Sequence, residues 1–441
     1  EVDYGKRYAW IPEHLVREGL LKVPRGFTLY ARNPRFNVRL EGRRVHFIAG
    51  APGVTQILDL ETGNPRQPTM KDVKNLARLV DAAENLYTYN SIVTPTEINP
   101  LVQDLHRWAA VFNHIEKPVF DGGSGRVKAE AFLAMASAIA GGVEELRKKP
   151  IVMGFGCPTS PLQHPRESLE WLVEFAEKGI PYAILSEPLT GVSGPATLAG
   201  SLAQMNAEIL SALVISQLVR KGAPILYGAN PFVMDMRTGN PSMGAPEVGL
   251  MGGISTQLAQ YYGIPSIAVC GEDGKVIDAQ YGFDRVAAIL PALVGANLVG
   301  GGATLDTGGM ASYEAVVLGD EFAGMIYRIL RGVRVGDEYL ALDPIYDVGI
   351  GGSFLPHPHT LRHAVEEVWY PSLVDRWGRL AWKEKGSKTI LERAREKVKK
   401  ILREHEPTPL DKDVQKRIAR IVREAEAKIL ESKGGGSSIR S

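Results

Sequence analysis

Eight short apolar runs, most of them stopped by a turn former and followed by a helical pattern, constrain this chain more than any other feature. The runs are Leu86–Tyr89, Pro118–Phe120, Ile151–Phe155, Tyr182–Leu185, Pro224–Tyr227, Ser266–Val269, Ala296–Val299 and Asp347–Ile350. They are too short for helices, and they read as buried strands. Helical patterns lie between them, among them Glu97–His114, Lys128–Leu146, Glu167–Lys178, Thr197–Lys221, Pro246–Tyr262, Phe283–Val294 and Tyr313–Arg331. Eight strand-then-helix units close most naturally into a parallel (β/α)8 TIM barrel of the α/β class. An open doubly wound sheet is the alternative.

The length of 441 residues suits one such barrel with additions. Residues 1–66 read as a small N-terminal cap, 67–360 as the barrel, 361–433 as a C-terminal helical extension and 434–441 as a flexible Gly/Ser-rich tail. A net charge of +1 argues against nucleic acid or a membrane surface as partner. No apolar run approaches the roughly 20 residues of a membrane span. The chain begins at Glu1, without Met or a signal peptide, so the native N-terminus is expected to lie further upstream. Two cysteines, Cys157 and Cys270, fit a reduced cytoplasm.

In a barrel the chemistry sits where the strands end. The residues following the runs are therefore the candidate site. They include Asn90, Glu187, a long loop bearing Phe232, Asp235 and Arg237, a segment with Asp278, Gln280 and Tyr281, and a last stretch with Phe354, His357 and His359. Aromatic rings such as Phe155, Tyr227, Phe232, Tyr281, Tyr313 and Phe354 suit a cationic ligand, above all a quaternary ammonium; each of them also suits simple packing. The mouth carboxylates either line the site or hold loops through backbone N–H groups. No phosphate-binding GxxxxGK[ST] loop occurs. His357, His359 and His363 match no strong metal signature, and no metal site is expected. No motif places a base beside Cys157, so a loop-end thiol is the simpler reading.

Six separated motifs resemble the trimethylamine methyltransferase family: GCPTSPL (156–162), EPLTGVSGPATLAGSLAQMNAEIL (187–210), GAPILYGANPFVMDMRTGNPSMGAPE (222–247), DGKVIDAQYGFDR (273–285), GANLVGGG (295–302), and FLPHPHTLRH with YPSLVDRWGRLAWKEKGSKTILERA (354–394). The resemblance implies a barrel methyltransferase of one-carbon metabolism. It would move a methyl group from a methylated amine to the cobalt(I) of a separate corrinoid protein. This chain would then bind no cofactor tightly; the corrinoid (cobalamin) would arrive on the partner. Family barrels often associate, so a homo-oligomer is expected. Trimethylamine enzymes of the family carry pyrrolysine, whereas glycine betaine enzymes and others lack it. By this resemblance the pyrrolysine position is held here by Tyr281, and no pyrrolysine occurs in the chain.

A quaternary donor already has a neutral amine as leaving group, so the enzyme chiefly binds and orients it. Tyr281, Gln280 and Asp278 are then the expected catalytic group. Tyr227, Phe232, Asp235, Glu187, Phe354 and Asn90 are expected to line the donor pocket, with Arg237, His357 and His359 available for a carboxylate tail such as that of a betaine. Two other readings stay open. One is a non-catalytic barrel that binds an amine or docks a corrinoid protein. The other is an unrelated barrel lyase, for which Lys275 is the mouth candidate for a Schiff base.

Overall fold

The computed structural model describes residues 1–50 and 53–434. The Gly/Ser-rich tail expected at 434–441 lies, apart from Gly434, outside the described residues.

Eight parallel strands close into a barrel. In chain order they are β1 (His46–Ala49), β2 (Leu86–Asn90), β3 (Val119–Gly122), β4 (Val152–Gly156), β5 (Tyr182–Ser186), β6 (Ile225–Ala229), β7 (Ser266–Val269) and β8 (Leu298–Gly300). The helices that follow them are α1 (Met70–Ala82), α2 (Gln103–Asn113), α3 (Arg126–Ala140), α4 (Arg166–Lys178), α5 (Leu198–Val219), α6 (Pro246–Tyr262), α7 (Ile289–Val294) and α8 (Tyr313–Arg331). The barrel closes where Leu298 and Val299 of β8 pair with His46 and Phe47 of β1.

The closing strand corrects the sequence reading. His46–Ala49 was expected in the N-terminal cap, yet it pairs on both edges, with β8 and with β2. Asp347–Ile350 is not a strand. Its first two residues end the helix Leu342–Val348, and the chain then turns through Gly349 and Gly351, both at positive φ. Its apolar residue Ile350 is exposed and pairs with nothing in a sheet. The barrel therefore begins near residue 46, inside the segment expected as cap.

What remains of the cap has a structural task. Strands Gly26–Leu29 and Val38–Glu41 form a hairpin that inserts Phe27, Leu29, Val38 and Leu40 into the barrel's inner core. Tyr30 N–H bonds the carbonyl of Pro150, just before β4, so the hairpin closes the end of the barrel where strands start. Inside lie Ile48, Phe120, Met153, Ala183, Leu185, Leu226, Ile267 and Leu298. Side chains alternate along a strand, so the intervening residues face the helix layer. Tyr227 is one of these; its hydroxyl bonds Asn206 Oδ1 of α5 at 2.8 Å, and its ring lies 6.2 Å from that of Tyr262 on α6.

By length and apolarity α5 alone among the described helices could cross a membrane. Here it packs between α4 and α6. Its buried Glu208 accepts bonds from Ser160 Oγ, Leu162 N–H and Ser186 Oγ, a polar network suited to a barrel's helix layer. In the C-terminal extension, helix Ile390–Glu404 packs on α1 and α8, and helix Lys412–Gly434 packs on α2 and α3.

Two small sheets rim the mouth. Leu189–Thr190, Phe232–Asp235 and Asn240–Ser242, from the loops after β5 and β6, form one. Thr304–Leu305 and Met310–Ala311, after β8, join Ile57–Leu58 and Pro65–Arg66, after β1, to form the other. Asp273, after β7, ties the loops together. It accepts bonds from Met243 N–H (2.8 Å), Gly244 N–H (3.2 Å), Thr307 Oγ1 (3.1 Å) and the Ser242 hydroxyl.

Candidate active site

The register of the barrel decides which side chains face its cavity. Phe155 and Cys157 pack against the inner core from β4 and just beyond it. Ala183 and Leu185 face inward on β5, so two residues on, Glu187 does as well. Gly228 pairs with inward Leu185, which places Asn230 beside Glu187. On β2, Asn90 pairs with inward Phe120 and Thr88 with inward Ile48. Six inward side chains with a polar atom or a ring thus gather at this end: Thr88, Asn90, Phe155, Cys157, Glu187 and Asn230.

Three of them touch. Glu187 Oε1 accepts from Asn230 Nδ2 at 2.6 Å and from Cys157 Sγ at 3.2 Å. These residues follow β6, β5 and β4, so three strand ends converge on one carboxylate. Burial raises the Glu187 pKa, while the bonds from Asn230 and Cys157 pull it back down. Burial, then the neighbouring Glu187 charge, pushes the Cys157 thiol well above its ordinary value. Cys157 is therefore a protonated donor to Glu187 and no thiolate nucleophile.

Unpartnered polar atoms also face the barrel interior. Thr88 Oγ1, Asn90 Oδ1 and Asn230 Oδ1 are buried and have no hydrogen-bond partner. Buried polar atoms are usually satisfied, so these inward atoms, with Thr88 one step deeper than Asn90 along β2, are open to a bond from a ligand or a water. Phe155 contributes an aromatic face. Gly122 leaves room for it, since a Cβ there would lie 2.8 Å from the ring.

The other expected site residues fall elsewhere. Tyr227 faces the helix layer, as described. Phe232 is half-buried in the rim sheet, and Asp235 and Arg237 lie at the end of the same hairpin. Arg237, with its side chain 89% exposed, bonds Asp235 at 2.8 Å; the pair holds a turn. Phe354, His357 and His359 were placed at the mouth because they followed a supposed eighth strand. They belong instead to a helical arm bonded to the end of α8 remote from the mouth, through Glu367 O to Arg328 and Arg331. His357 Nδ1 caps helix Pro358–Glu367 by accepting from His359 N–H.

The trio Asp278, Gln280 and Tyr281 does not assemble as a catalytic group. Asp278 is exposed and caps the helix Ala279–Asp284 by accepting from Gln280 N–H, while the Gln280 side chain is exposed. Tyr281 is buried in the outer core beside the ion pair Glu272–Arg285, with its hydroxyl 3.5 Å from Ala315 O of α8. Lys275 is exposed and pairs with Asp306, so the Schiff-base reading loses its residue. Among the described residues, no cluster of His, Cys, Asp and Glu could hold a metal ion.

A family model described as trimethylamine methyltransferase (MTTB) matches residues 4–429. The chain belongs to the trimethylamine methyltransferase family. A trimethylamine methyltransferase MttB of Desulfitobacterium hafniense (strain DSM 10664 / DCB-2) is 37% identical over 427 residues, spanning 96% of this chain and 86% of the relative. A glycine betaine methyltransferase of D. hafniense (strain Y51) is 32% identical over 422 residues, covering 94% and 86%. Among solved structures, the Methanosarcina barkeri monomethylamine methyltransferase (MtmB) aligns over 96% of this chain and 81% of its own, with TM-score 0.54 and 12% identity. That likeness bears on the fold alone and agrees with the closed barrel. Within this methyltransferase family, then, the site to be explained is the Glu187 cluster. Sequence reasoning named Glu187 and Asn90 but missed Asn230, Cys157 and Thr88 as site residues. The signal was present: Cys157, Glu187 and Asn230 each lie two residues beyond an inward-facing position.

Proposed function

We propose that this chain moves a methyl group from a methylated ammonium donor to a corrinoid carried by a separate protein. The observation that carries the reading is the Glu187 carboxylate, held at the mouth by Asn230 and Cys157, in a barrel interior that also receives the Phe155 ring and the unpartnered oxygens of Thr88, Asn90 and Asn230. The family match and the amine methyltransferases among the relatives support the same chemistry.

A reduced corrinoid on the partner would supply the nucleophile and take the methyl group, and the nitrogen of a cationic donor would leave with the C–N bond pair as a neutral amine. The residues of this chain bind and orient. Glu187 holds the cation by charge, and Phe155 offers its π face. Closure by the rim sheets would keep water from the donor. Cys157 and Asn230 keep the carboxylate aimed, so little reorganisation is needed when the donor enters.

The acceptor protein would dock on the rim, with residues 188–195 and 230–243 at its centre. Exposed Val192 and Met236, on this rim, and Leu162, on the loop after β4, give that surface apolar tips. A methyl-transfer assay tests the proposal, with purified corrinoid protein and a panel of methylated amines, followed by the cobalt absorbance change. Donor-dependent transfer that falls strongly in Glu187→Gln is expected. Transfer to free cobalamin as fast as to the carrier protein would remove the docking role, and no transfer from any methylated amine would remove the function.

A further inference from the structure

Resting on that reading of the site, we propose that the donor is a quaternary ammonium ion without an anionic tail, of the tetramethylammonium or choline kind, and not a zwitterionic betaine. The inward positions toward the strand ends offer one carboxylate, three unpartnered oxygens, a ring and a thiol. Among the described residues, none that the register turns inward there is basic. A betaine would bring its own carboxylate into a space that holds the Glu187 charge and offers only neutral donors, such as the Thr88 hydroxyl and the Asn90 side-chain amide; like charges repel most strongly there because water is excluded.

The basic groups that could receive such a tail are placed or paired elsewhere. Arg237 bonds Asp235 at the tip of the rim hairpin. Arg285 faces Glu272 at 2.5 Å in the helix layer, and Arg107 lies between Asp104 and Asp121. His357 and His359 cap and brace the arm at the far end of α8.

A tail-free cation fits what remains. Its charge is spread over methyl hydrogens, and it has no N–H to satisfy. It is held by a carboxylate, by C–H contacts to oxygen and by a ring face. Thr88 Oγ1, Asn90 Oδ1 and Asn230 Oδ1 are such oxygens, buried and otherwise unused.

Isothermal titration calorimetry on the full chain, without any acceptor protein, tests this with tetramethylammonium chloride, choline chloride and glycine betaine at matched ionic strength. Tetramethylammonium or choline should bind roughly tenfold or more tighter than glycine betaine, each tenfold being one step in the binding constant. Glu187→Gln should narrow that gap, weakening the cations and sparing the betaine. Should that variant not fold, lowering the pH to protonate Glu187 in the unmodified chain should narrow the gap in the same way. Glycine betaine binding as tightly as the cations, or an equal loss of all three ligands in Glu187→Gln, overturns the inference while the methyltransferase reading stands. No binding of these three or of trimethylamine overturns that reading, and this inference with it.

Discussion

Asn230 Nδ2 donates to Glu187 Oε1 at 2.6 Å, joining the ends of two neighbouring barrel strands through one carboxylate. That bond favours the ionised form of Glu187, while burial favours the protonated form and prevails. The pKa of Glu187 in the empty site is therefore raised above its unfolded value, ordinarily about 4.3. The sign of the pH effect follows. A raised carboxyl contributes stability below its unfolded pKa and loses it as pH rises through the folded value. A cationic donor binds the ionised form, so its affinity should climb with pH across that window and then level off, with proton release on binding. Calorimetry in buffers of different ionisation enthalpy measures that release directly. A donor affinity independent of pH there, or binding without released protons, would count against the carboxylate as the cation's partner.

A second expectation concerns Gly228. It faces inward on β6, level with Leu185 of β5. A Cβ at that position would lie 2.4 Å from the Ile184 carbonyl oxygen and 2.5 Å from Leu185 Cδ2. The first neighbour is backbone within the barrel and cannot swing aside. Gly228→Ala should cost about 1–3 kcal/mol, as overpacking in cores does, and should disturb donor binding because Asn230 lies two residues on. Equilibrium denaturation and the donor KM check both effects; an unchanged midpoint and KM would mean that the strands part more easily than this packing implies.

Much of the fold was legible because a strand buried on both faces must be apolar throughout, and seven of the eight barrel strands are such runs. The eighth was not. Val45 to Ile48 reads as a strand, but its place in the barrel depends on closure with Leu298 and Val299 some 250 residues away, which no local pattern carries. Asp347–Ile350 imitates a strand because an apolar helix end followed by glycine looks the same over four residues. That one substitution also moved Phe354, His357 and His359 from the far end of α8 to the mouth. At the site, residue types pointed to Glu187 and Asn90. Asn230, Cys157 and Thr88 needed the register, since one step along a strand separates a cavity residue from one in the helix layer, as it does for Leu226 and Tyr227.

Asp273 offers a third test, of the rim. Its carboxylate holds Met243 N–H, Gly244 N–H and the hydroxyls of Ser242 and Thr307, so it links the loops after β6, β7 and β8. Asp273→Ala leaves two amide N–H groups without this partner, at a cost of about 1–3 kcal/mol for each that stays buried. Donor KM should rise more than kcat falls, and limited proteolysis should cut the 230–245 loop sooner. A variant with wild-type protease resistance would show that the two rim sheets hold without this tie.

Tyr281 gives the last test, because by resemblance it holds the pyrrolysine position while the structure buries it in the outer core. Its hydroxyl approaches Ala315 O at 3.5 Å, too long for a strong hydrogen bond. Burial pushes its pKa up, and the neighbouring Glu272 charge adds to the rise, so it stays a neutral phenol. Removing the hydroxyl should matter little: Tyr281→Phe should keep its stability within about 1 kcal/mol, the net worth of an ordinary hydrogen bond, and should leave donor KM and kcat unchanged. Removing the ring is different. Tyr281→Ala would open a cavity beside the buried Glu272–Arg285 pair and should cost about 3–5 kcal/mol, the usual range for a core aromatic cut to alanine. Gln280→Ala, at an exposed position, should be neutral on both counts. Chemical denaturation and steady-state kinetics on the three variants separate the roles. A large kcat loss in Tyr281→Phe at full stability would return the residue to the catalytic group and move the site toward β7.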